Sequence, residues 1–92
     1  VALSVGGRER VLRPTFAALV AAEGEVGSLF ALLERAAAGE VRLSEMGALF
    51  WHCLDRPDGE ARPAFEAELL EAGPARLLPR FRALLAAVFG AG

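Results

Sequence analysis

Apolar positions alternate over the first five residues and then recur with helical spacing to the end of the chain. Val1, Leu3 and Val5 alternate with Ala2 and Ser4, the period of a half-buried strand. Gly6-Gly7 supplies the positive φ angles that a tight hairpin turn demands. Arg8 to Arg13 then returns, with Val11 as its apolar position. A two-stranded ribbon is marginal alone, so it has to pack on helices. Pro14 steers Arg13 away from helical geometry, and Thr15 follows as an N-cap, so strand hands over to helix at this point.

Five helical segments follow. The first runs from about Thr15 to Glu23, with Phe16, Leu19 and Val20 on one face and Gly24 as its stop. The second spans roughly Val26 to Ala38, striped by Val26, Leu29, Phe30 and Leu33 and closed by Gly39. After a linker, Glu40 to Leu43, Ser44 caps a third helix from about Glu45 to Leu54. Its inward face is Met46, Leu49, Phe50 and Cys53; Trp51 lies off that stripe, one turn past Gly47, which leaves room for the ring. Asp55 to Gly59 is a loop broken by proline and glycine. The fourth helix, about Pro63 to Ala72, turns Phe65, Leu69 and Leu70 inward and Glu66, Glu68 and Glu71 to water, and Gly73 closes it. The last, Pro74 to Phe89, carries Leu77, Phe81, Leu84, Leu85 and Val88. Pro79 either kinks it or marks the start of a helix after a single turn, Ala75 to Leu78. The fold class is therefore mainly α with a short N-terminal β-hairpin (α+β), about five short helices around one small core. The 92 residues make a single domain, 1–92, with the hairpin at 1–13 and the helical region at 15–89.

Composition narrows the function classes. Apolar residues make up 54% of the chain, above the roughly 45–50% of globular proteins, which fits a surface covered by another protein as well as alanine-filled helices. A net charge of −2 argues against a general nucleic-acid binder. The apolar end, Ala83 to Gly92, falls far below the ~20 residues of a membrane helix. One cysteine excludes an internal disulfide and a cysteine-built zinc site. A cytoplasmic protein is the expectation.

No set of residues invites catalysis. His52 and Cys53 are adjacent, and neighbouring helical side chains point about 100° apart, so the histidine does not serve the thiol as base. Cys53 continues the apolar stripe and should be buried and inert. One histidine leaves no first shell for a metal, and Gly6-Gly7 lacks the lysine and hydroxyl residue of a phosphate loop. The expectation is a non-enzyme with no cofactor and no metal.

Binding is the better-supported class. An apolar strip on the third and last helices, Trp51, Leu54, Phe81, Leu85 and Phe89, is the candidate protein-binding surface, with Arg8 and Arg10 of the ribbon facing an acidic partner. The alternatives are that Trp51 covers the edge of the core and that the arginines form a solvated strand face. Phe89 stands beside a Gly90-Ala91-Gly92 end.

Several stretches carry a family resemblance. Gly7-Arg8 is followed by Val11-Leu12-Arg13-Pro14-Thr15-Phe16-Ala17-Ala18-Leu19, then Gly39-Glu40 with Val41-Arg42-Leu43-Ser44, then Glu71-Ala72-Gly73 leading into Leu77-Leu78-Pro79. In this order and spacing the chain resembles the small tail protein of gene transfer agents and siphophage-like prophages, with Asp55 to Arg62 the least typical part. That family is grouped with tail assembly chaperones, although some labels call it a tail tube protein. The resemblance implies a non-catalytic helical protein of the host cytoplasm that binds tape-measure and tail-tube proteins during assembly, touches no nucleic acid or membrane, and leaves room for a homo-oligomer. A structural tail subunit and an unrelated helical adaptor are the competing readings.

Overall fold

The computed structural model describes residues 1–90; Ala91 and Gly92, the end of the Gly-Ala-Gly segment, lie outside the described residues. β1 (Ala2–Val5) and β2 (Arg8–Val11) pair antiparallel, with Leu3 opposite Arg10 and Val5 opposite Arg8. The turn between them is Gly6-Gly7 at φ +60° and +74°, the hairpin geometry in which a side chain is strained. The ribbon is anchored past its end: Leu12 bridges to Leu54, Arg13 donates to the Cys53 carbonyl at 2.6 Å, and Asp55 donates to that of Val11 at 2.9 Å. β1 lies against the fourth helix and buries Leu3 and Val5 there.

The helices are α1 (Phe16–Val26), α2 (Leu29–Ala37), α3 (Leu43–Cys53), α4 (Arg62–Ala72) and α5 (Pro74–Phe89). Thr15 caps α1 as expected, its hydroxyl accepting from the Ala18 amide at 3.2 Å. Gly24 does not end α1. The helix continues to Val26, and Gly27, at φ +81°, turns the chain instead. The Ser28 hydroxyl and the Glu23 carboxylate then accept from the Ala31 and Leu29 amides, so α2 begins three residues later than periodicity suggests. α3 begins before Ser44, because Glu45 reaches back to the Arg42 amide at 2.9 Å while holding Arg35 with both carboxylate oxygens. That arginine–carboxylate pair pulls the Glu45 carboxyl below its ordinary range. α5 runs as one helix across Pro79. Both Pro79 and Ala75, whose carbonyl loses its partner there, are exposed.

The core centres on Phe50 and Phe81, packed edge to face with centroids 5.7 Å apart, together with Phe65, Leu3, Leu12, Leu32, Leu49, Leu84 and Leu85. Met46, Leu49, Phe50 and Cys53 on α3 and Leu77, Phe81, Leu84 and Leu85 on α5 all point inward as their spacing requires, while Val88 is half-buried. Arg82 joins α5 to the end of α2 by donating to the Ala36 carbonyl at 2.8 Å, which also accepts from the Gly39 amide.

Three helices present a different face from the expected one. α1 buries Ala22 completely and half-covers Ala18, Leu19 and Val26, leaving Phe16 and Val20 outside. Phe16 and Val20 precede Ala22 by six and two residues, which at 100° per residue places them on the opposite side. α1 packs on α3 through this alanine-bearing side, and small residues let two helices approach closely. On α2, Phe30 is exposed and Leu29, Leu32 and Ala36 are buried. On α4, Leu70 is exposed, whereas Glu68 turns towards the ribbon.

Candidate protein-binding surface

The expected strip on α3 and α5 is largely interior. Leu54, Phe81 and Leu85 are buried, because the helices close over the very stripe that marks them as apolar, so these three are withdrawn from the surface. Trp51 is half-buried. Its ring lies 6.0 Å from that of Phe65, and the Arg56 guanidinium sits 3.9 Å over it while donating to the Trp51 carbonyl. It covers the edge of the core. Gly47 does not make room for this ring: a side-chain carbon there would meet the Glu66 carboxylate at 3.7 Å, an ordinary contact, and not Trp51. Phe89 is half-buried against the exposed Phe30, centroids 4.5 Å apart.

The two arginines separate as well. Arg8 is exposed, with its nearest carboxylate, that of Glu68, 3.8 Å away. Arg10 is only 6% exposed, a correction to its place facing a partner. It donates to Glu60 at 2.6 Å, lies 3.7 Å from Glu68 and stands 5.7 Å from the Phe65 ring. The Glu68 carboxylate in turn packs over Gly6, where an added Cβ would meet it at 2.6 Å. Arg10 is thus a strut between the ribbon and α4, and desolvation of a buried ion pair of this kind offsets much of its attraction.

The apolar concavity lies elsewhere. The start of α3, the end of α4 and the start of α5 enclose a groove of about 280 Å³, lined by Leu43, Met46, Gly47, Leu69, Leu70 and Leu77 together with Ser44, Glu66 and Pro74. Leu43 and Leu70 on its sides are 62% and 65% exposed. Two features build it. The break at Gly73 (φ +93°) turns α5 back against α4, and the early start of α3 makes Leu43 a helical residue rather than part of a linker. Nothing in the sequence separates Leu69-Leu70 from Leu84-Leu85, where both leucines are buried, so the exposure of Leu70 is decided by packing.

A second apolar surface is the outer side of α1, where Phe16 is 84% exposed and Val20 about half exposed. The run Phe-Ala-Ala-Leu-Val-Ala-Ala is apolar all round, which a single stripe does not explain. No single helix among the described residues is long and apolar enough to cross a membrane; α1 and α2 pass by length and composition only as a pair bent by 75°.

The polar clusters tie elements together. Glu25 at the end of α1 accepts two hydrogen bonds from Arg62, at 2.6 and 2.8 Å, and pairs with His52 at 2.6 Å. The Arg62 hydrogen bonds first, and His52 second, hold the Glu25 carboxyl down to about 2. His52 therefore faces Glu25, away from Cys53, whose thiol burial pushes up to about 11. A thiol so held is a poor nucleophile.

The whole described chain, 1–90, and one further residue are covered by a family model for a phage tail tube protein, GTA-gp10, matching residues 1–91. The chain belongs to this gene-transfer-agent tail family. No curated protein and no solved structure matches it. Membership makes it a phage-tail-related protein whose partners are other tail proteins, and points to a non-catalytic role.

Proposed function

We propose that this tail-family protein is an assembly chaperone of the host cytoplasm that holds an amphipathic helical segment of the tape-measure protein until tube subunits replace it. The observation that supports this reading is the α3/α4/α5 groove, with Leu43 and Leu70 standing exposed beside a floor of Met46, Leu69 and Leu77. Apolar anchors at i, i+3 and i+4 of a helix fit such a trough. The groove is short, so each contact is weak, as displacement during tube polymerisation requires. The family's description as a tail tube protein favours a second reading, a structural subunit of the tail. A two-stranded ribbon provides little of the β-sheet from which tail tubes are built.

The test is co-expression with fragments of a gene-transfer-agent tape-measure protein. The chaperone reading expects at least one fragment to co-purify and stay soluble, and Leu70→Glu to abolish this while leaving the helical fold intact. Failure to bind any fragment, combined with incorporation into purified tails, would establish the structural subunit instead.

A further inference from the structure

We infer that the outer face of α1 from one copy seats in the α3/α4/α5 groove of another, so that chains join head to tail. α1 is apolar on both sides, yet only the side carrying Ala22 is covered within one chain. A helix of that kind is normally covered all round. Its free side presents Phe16, Ala17, Val20 and Ala21, two larger residues flanked by alanines that let another backbone come close. The groove is the complementary shape, a trough of about 280 Å³.

Charge selects the same pairing. The charged residue that continues the free side of α1 is Glu23, seven positions after Phe16 and exposed; its Oε2 accepts from the Leu29 amide, which leaves Oε1 for a partner. Beside the groove stand Arg42, next to Leu43, and Arg76, next to Leu77. Arg76 and Arg80 line a neighbouring pocket with Arg8, and Leu77 is common to both walls. Among the described residues none of Arg42, Arg76 and Arg80 has a carboxylate within 4 Å. Arg76 and Arg80 are also four apart in the first turns of α5, where like charges repel each other and oppose the helix dipole. An acidic helix end laid along the groove relieves both.

Ridge and groove share no residue, so a single contact leaves one ridge and one groove free on each pair; it builds rings or open chains wherever the two do not close reciprocally about a two-fold axis. It also places self-association in competition with the proposed partner helix, which uses the same groove.

Sedimentation velocity of the full chain from about 1 µM to about 1 mM tests this, the range in which a small interface forms. The wild type should sediment faster as concentration rises. Phe16→Glu/Val20→Glu, which removes the ridge, and Leu70→Glu, which blocks the groove, should each weaken association by at least about tenfold while keeping the helical circular dichroism of the parent. Mixed together, the two variants should form a one-to-one dimer and nothing larger, because one intact ridge and one intact groove are left. A wild type that stays monomeric throughout overturns the inference, as does a folded ridge variant that associates like the parent, or a mixture that stays monomeric. The ridge variant keeps its groove, so its capture of tape-measure fragments reports on the chaperone reading separately.

Discussion

Replacing Phe16 by serine decides which side of α1 belongs to the core. Amphipathic reading of the chain puts Phe16 inward, and removal of a buried phenylalanine costs about 3–5 kcal/mol. In the structure Phe16 is 84% exposed, so about a sixth of its surface is withdrawn from water. Full burial of such a side chain is worth about 1.5–3 kcal/mol, which leaves about 0.3–0.5 kcal/mol to lose. Phenylalanine and serine have similar helix propensities, so the backbone adds little. Ala22→Leu is the counterpart. Ala22 is completely buried where α1 packs on α3, and the extra carbons have to displace close-packed neighbours at about 1–3 kcal/mol. Urea denaturation followed by circular dichroism, at protein concentrations too low for self-association, measures both. A loss above about 2 kcal/mol for Phe16→Ser, or a neutral Ala22→Leu, would refute the orientation of α1.

Two further outcomes follow from the polar contacts. Gly6→Ala and Gly7→Ala both place a Cβ at positive φ, costing about 1–2 kcal/mol each, but only at Gly6 does the Cβ also expel the Glu68 carboxylate from its place near Arg10. Gly6→Ala should therefore be the more destabilising in thermal melts; equal effects would mean that Glu68 contributes nothing to holding the ribbon. Glu25, with its folded pKa lowered from 4.5 to about 2, adds stability that is complete above about pH 4.5 and disappears as the pH falls towards 2. Its side chain is 38% exposed, and solvent screening reduces the contribution to about 1 kcal/mol. Glu25→Gln should flatten the acid limb of the stability curve by about that much, and an unchanged limb would show the Arg62 pair to be energetically silent.

Periodicity and turn chemistry determined most of the architecture from the chain alone. The Gly6-Gly7 hairpin, the Thr15 cap, five helices and the inward faces of α3 and α5 are local properties, written as spacing and as residues with special backbone freedom. Helix boundaries at Gly24, Ser28 and Arg42 escaped the apolar spacing, because they are set by carboxylates on free amides: Glu23 reaches forward to Leu29 and Glu45 back to Arg42. The binding surface was least legible. A strong stripe such as that of Phe81 and Leu85 marks burial, so the residues that look most adhesive are the ones the fold consumes. Only tertiary packing decided that Arg10 is a buried strut and that Leu43 and Leu70 flank a groove. It alone decided that α1 turns alanines to α3 and Phe16 to the outside. For a helix apolar on every side, sequence leaves the choice of face open, and the closeness of approach to its neighbour settles it.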